Sequence, residues 1–117
     1  MNIVEAKASI SELLTDFNPI PFVPEGVTPP VVVIRDGNPY LEPGRTFGDY
    51  TLNLSIVVVG PPATNEESSR QVDQNVMDIL PLLEGVWAID SVEPELLQDD
   101  SYQYPAVTIN IHNQVKF

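Results

Sequence analysis

Cysteine is absent from this 117-residue chain, which removes disulfides and thiolate metal ligands together. Positive charge is nearly as scarce, with 5 Lys and Arg against 17 Asp and Glu for a formal charge of -12. Lys7, Arg35, Arg45, Arg70 and Lys116 are scattered, so no cluster of cations is present of the kind that neutralises phosphates, and a nucleic-acid-binding face is disfavoured. There is 1 histidine, His112, with no acid adjacent in sequence. A lone imidazole does not make a metal site, and no GxSxG turn offers a nucleophile for it to activate, so a surface histidine is the preferred reading. No apolar run approaches the length of a membrane span, and the opening MNIVEAKASISE has an early acid and no apolar stretch of signal-peptide length. The expectation is a soluble protein made inside a cell.

What is there suits one domain over residues 1–117, because a chain of this length has room for one layered core and no second. Its centre is YTLNLSIVVVG, residues 50–60. Tyr50, Leu52, Leu54, Ile56 and Val58 keep one phase of a period-2 repeat while Thr51, Asn53 and Ser55 keep the other, which is the signature of a half-buried strand. Covering each such apolar side chain contributes about 2 kcal/mol before entropy is subtracted. Past Ser55 the polar phase passes to Val57 and Val59, so the far end requires an apolar partner on both faces, from its own chain or from a neighbouring subunit.

Residues 2–17 read as a first helix, with Asn2 and Glu5 imitating a capping box and Ile3, Ala6, Ile10, Leu13, Leu14 and Phe17 on one side. Residues 19–30 hold 5 of the 12 prolines and read as an extended covering segment, neither helix nor central strand. VVVIRD, residues 31–36, is a short strand ended by Asp36-Gly37-Asn38-Pro39, with Gly37 expected at positive φ. Residues 40–48 then form a loop that displays Tyr40, Leu41 and Phe47, and apolar loop residues of this size either tuck under their own domain or reach a partner.

Thr64 and Glu67 make a capping box for a second helix whose stripe is Val72, Val76, Ile79, Leu80 and Leu83, with Met77 at its margin. Pro81 lies inside that stripe and predicts a kink or restart in the last turn, before Gly85 ends the helix. Residues 86–92 form a third strand with Trp87 and Ile89 on one phase. Residues 93–101 are an acidic connection, and residues 102–111 form a fourth strand with Val107, Ile109 and Ile111 on one face. Pro105 predicts that this end lies at a sheet edge. The fold class is therefore α+β, in the order α-β-β-α-β-β: a single, mostly antiparallel sheet of about four strands with two helices packed on it.

Signals of chemistry are weak. Glu93, Glu95, Asp99 and Asp100 are the densest acids but lack the DxDxDG spacing that preorganises a calcium loop, so a solvated loop is the better reading. Gly60-Pro61-Pro62 precedes a helix without the glycines or the lysine of a phosphate loop. No catalytic residue, cofactor site or metal site is assigned, and a non-enzymatic protein is expected.

The stretch PYLEPGRTFGDYTLNLSIVVV, residues 39–59, followed by Thr64-Asn65-Glu66 at the head of a helix and a late Tyr104-Pro105-Ala106-Val107 strand, resembles the tail terminator proteins of long-tailed bacteriophages, especially the small ones of actinobacterial phages. The likeness runs over nearly the whole chain, with Pro81 as a departure. It implies a virion protein, made in the host cytoplasm, that assembles into a six-membered ring on the head-proximal end of the tail tube. Such a ring stops tube polymerisation and offers a surface to a head-tail connector or stopper protein. Tyr40, Leu41, Arg45, Phe47, Val57 and Val59 become the expected subunit or partner interface, since closed rings use two different complementary patches per subunit. DNA would pass through a ring whose carboxylates do not hold phosphates. Another neck component, such as a head-tail joining, stopper or tail-completion protein, shares this pattern of elements. A small ligand-binding or hydrolytic α+β domain using the acidic loop is the alternative from a different class.

Overall fold

The alternation at residues 50–58 places a central strand, and the sheet grows outward from it. In the computed structural model, which describes residues 2–17, 19, 31–60, 66–99 and 102–116, the elements run α1 (Ile3–Leu13), β1 (Val31–Pro43), β2 (Asp49–Val59), α2 (Glu66–Glu84), β3 (Ala88–Asp99) and β4 (Tyr102–Lys116), with a 3-10 turn at Thr15–Phe17. The strands form one open sheet in the order β1-β2-β4-β3, and every pairing is antiparallel. This is the α+β architecture and element order that the sequence predicts.

Both helices pack on one face of the sheet. Asn2 caps α1 by accepting the Glu5 backbone N–H at 2.8 Å, which leaves Ala6, Ile10 and Leu14 buried at helical spacing. From α2, Val72, Val76, Ile79 and Leu83 enter the same core, where they meet Leu52, Leu54, Ile56 and Val58 of β2 and Ile109, Ile111 and Val115 of β4. Trp87, just ahead of β3, is the largest fully buried side chain among the described residues, and its indole N–H has no acceptor among them. Met77 at the stripe margin is exposed. The helix α2 runs unbroken through Pro81 to Glu84, so the expected restart does not occur. Pro81 lacks only its own N–H, and its solvent-facing side of the helix lets the freed carbonyl reach water.

Three further expectations are corrected by strand pairing. The strand β1 does not stop at Asp36: pairing resumes at Leu41 opposite Leu52 and continues to Pro43 opposite Tyr50. Residues 37–40 are thus an irregularity inside a strand, and Tyr40 and Leu41 belong to β1, not to a loop. Gly37 is not at positive φ; among the described glycines only Gly48 is, at 82°. What Gly37 meets instead is backbone, since an added Cβ would lie 2.6 Å from the Asn53 carbonyl oxygen. The acidic residues from Glu93 to Asp99 continue β3 as an edge strand, where Glu93 is exposed and Glu95 is held by Arg35 and Thr108. The strand β4 is central, yet its ladder with β2 ends at Ala106, so Pro105 has a strand neighbour on one side only and accepts the Gly60 N–H at 2.8 Å. The proline-rich covering segment of residues 20–30 and the cap at Thr64 lie outside the described residues.

Candidate functional site

The face of the sheet turned away from the helices is divided. At one end Val33, Val57, Val59 and Ala106 form a small apolar cluster with Tyr104 against it. Its centre is a polar row across all four strands. Arg35, Ser55, Asn110 and Ser91 are register neighbours, Ser55 Oγ donates to Asn110 Oδ1 at 2.7 Å, and Asn110 Nδ2 donates to Ser91 Oγ at 2.9 Å. Above this row Arg35 reaches Glu95 at 3.5 Å, and Thr108 donates to the same carboxylate oxygen. His112 meets Asp90 at 2.7 Å, the extra residue of the register shift between Ile89 and Ser91. These groups satisfy one another on a nearly flat face, and among the described residues no group of three or more His, Asp or Glu stands where it could hold a metal ion.

The two ends of the sheet differ. The strand β3 begins its pairing opposite His112, so residues 113–116 of β4 extend about 14 Å past it, together with the β1–β2 hairpin. At the opposite end, β4 and β3 run on past the last β2 pair at Ala106. A hairpin therefore projects from each end of a molecule 48 Å long.

The β1–β2 tip is held in one shape. Gly44 N–H donates to the Asp49 carbonyl at 2.7 Å, Asp49 N–H to the Thr46 carbonyl at 3.1 Å, Thr46 Oγ1 to the Asp49 carboxylate, and Gly48 takes the positive φ that the turn demands. Phe47 stands fully exposed on this frame, at 109%. Arg45 beside it is also exposed. Lys7, Arg35, Arg70 and Lys116 each pair with a carboxylate, at 3.0, 3.5, 3.3 and 3.6 Å respectively, whereas Arg45 has no carboxylate partner among the described residues. Gly44, Arg45, Thr46, Asp49, Thr51, Gln114 and Lys116 line an open groove of about 650 Å³.

The six expected interface residues are thus not one patch. Phe47 and Arg45 are displayed at the tip. Tyr40 and Leu41 are half-buried against the helix-side core, and Lys7 lies 4.9 Å over the Tyr40 ring while its ammonium bonds Asp36 at 3.0 Å. Partial burial pulls the Lys7 pKa down, but the bonds to Tyr40 and Asp36 outweigh it and leave it raised above its ordinary 10.5. Val57 and Val59 are buried within this one chain, so the apolar partner their pattern calls for is internal and they offer no area to a second subunit. Sequence reasoning also missed how the tip is tethered: Asn53 Nδ2 donates to the Pro39 carbonyl at 2.9 Å and to Glu42 Oε1 at 2.8 Å. The signal was the Gly37-Asn38-Pro39 break, which marks a strand irregularity as well as a turn.

The fold and this surface define an α+β protein with one open antiparallel sheet and a displayed hairpin tip. Compared with protein-family models and with curated proteins, the chain matches none. No described helix is long and apolar enough to cross a membrane.

Proposed function

We propose that the chain is a phage tail terminator, a structural protein without catalysis that forms a ring on the head-proximal end of the tail tube, ends tube growth and presents a surface to the neck proteins. The family part of this reading rests on the sequence resemblance. The assembly part rests on one observation: an ordered hairpin tip that holds a fully exposed phenylalanine beside the one cation without a carboxylate partner among the described residues. Aromatic residues and arginine are enriched in the centres of protein interfaces, and a displayed Phe is a cost to a monomer that a partner removes. The acidity fits a bore that lets DNA slide, since released counterions favour phosphate binding only where cations cluster.

Deleting the coding sequence from the phage and imaging the tails tests the reading. Tails of irregular length that fail to join heads are expected. Tails of uniform length on completed virions overturn the proposal. Pull-down with the tail tube subunit against the portal complex separates a terminator from another neck component, the former being captured by the tube subunit.

A further inference from the structure

The tip is one of two unusual margins. The other is the outer edge of β3, the free edge strand opposite β1 in the sheet order. Edge strands in monomers are blunted by short length, charge, proline or a covering element, because their unpaired backbone groups otherwise recruit another chain. This one runs from Ala88 to Asp99 with Pro94 in its middle, and yet two of its apolar side chains are left open, Val92 at 42% and Leu96 at 58% exposed. Glu93, between them on the opposite face of the strand, is exposed and has no cation partner among the described residues. The margin thus offers apolar surface and uncompensated negative charge, whereas the tip offers apolar surface and uncompensated positive charge.

We infer that the β1–β2 tip of one subunit docks on the outer edge of β3 of a second copy of this chain, with Phe47 against Val92 and Leu96 and Arg45 meeting Glu93. This rests on the ring reading and names the two patches that such a ring needs. Charge selects the occupant. In a chain of net charge -12, two tips or two β3 edges meeting each other would leave like charges opposed, and only the mixed contact pairs Arg45 with a carboxylate. The tip lies at the end of the sheet that β3 does not reach, so a subunit does not satisfy its own edge. One copy hands its tip to the next, which is the heterologous contact from which rings close.

The absence of cysteine makes the contact traceable. Phe47→Cys and Leu96→Cys proteins, prepared separately and mixed at high concentration with a short bismaleimide, are expected to cross-link to each other at least about tenfold more than a Val4→Cys and Leu96→Cys control pair. Arg45→Glu added to the Phe47→Cys partner lowers that yield about tenfold, and Glu93→Arg added to the Leu96→Cys partner restores it. Cross-linking of Phe47→Cys mainly to itself, a mixed yield no higher than the control, or no rescue by the reversed pair overturns the contact. The native mass of the wild-type assembly, measured without cross-linker, separates the two claims. A closed dimer leaves the tip-to-edge contact standing and removes the ring, whereas rings on tail ends without the Phe47–Leu96 link remove the contact and leave the ring.

Discussion

The β1–β2 hairpin is interrupted by residues 37–40 opposite Asn53, whereas the β3–β4 hairpin is displaced by Asp90 alone. Yet the longer irregularity is the more heavily tied at the break itself. Asn53 holds Pro39 and Glu42, Lys7 spans from α1 to Asp36 and Tyr40, and the turn bonds of Gly44, Thr46 and Asp49 close the tip. In the β3–β4 hairpin, the irregularity is filled by the single pair of Asp90 with His112, and β3 keeps its outer edge free. The difference teaches where a small domain places its side-chain bonds: in the β1–β2 hairpin they gather around the irregularity and the turn, whereas in β3 and β4 they run along the ladder through Glu95, Ser91 and Asp90.

Substitutions can break this contrast or sharpen it. The largest loss is expected where the two hairpins share support. Leu54→Ala removes a side chain 1% exposed from the strand between β1 and β4 and should cost about 3 kcal/mol in denaturant unfolding, weakening both hairpins alike. A loss confined to one would show that they fold as separate units.

Next comes Gly37→Ala, whose Cβ would press on the Asn53 backbone and should cost about 1–3 kcal/mol. Gly85→Ala, with nothing within 4 Å of its Cβ, should change stability by less than about 0.5 kcal/mol. Equal effects would mean that the irregularity is not held by close approach. Asn53→Ala should cost about 1 kcal/mol by freeing two hydrogen bonds, and hydrogen exchange should rise at the β1–β2 tip before it rises in β3.

Phe47→Ser and Arg45→Glu should each leave unfolding within about 0.5 kcal/mol of wild type, because both side chains are exposed, while each weakens assembly and the two together abolish it. The smallest effect concerns Lys7. Because its pKa is raised on folding, its contribution is fully present below pH 10.5 and is lost as pH rises through the folded value. Lys7→Met should therefore remove a shallow alkaline decline in thermal stability, and it should do so modestly because the pair is partly solvated.

Much of this architecture is legible in the residues. Period-2 alternation located β2 and the core face of β4, and the stripes of both helices matched the side chains that are buried, because a half-buried element must repeat with its own geometry. What was not legible depends on partners distant in sequence. Gly37 and Pro39 read as a turn because local chemistry does not disclose that Asn53 waits across the ladder to resume the pairing. The acids from Glu93 onward read as a loop because composition does not show that β4 supplies their strand partner. Val57 and Val59 signalled burial correctly but not by what, so the interface residues that alternation suggested were only in part those the fold leaves on the surface. Phe47 and Arg45 remained visible in both views, since a large apolar side chain between Gly44 and Gly48 has little core within reach.

The proposed tail-terminator role is tested most directly by electron microscopy of the purified chain mixed with tail tubes, taken from the phage that would encode it under that reading. Wild-type protein should cap one end of each tube with a ring, and protein carrying both Phe47→Ser and Arg45→Glu should leave the ends bare while remaining folded. Bare ends with the wild type, or rings undiminished with the double variant, would contradict an assembly protein that works through its hairpin tip.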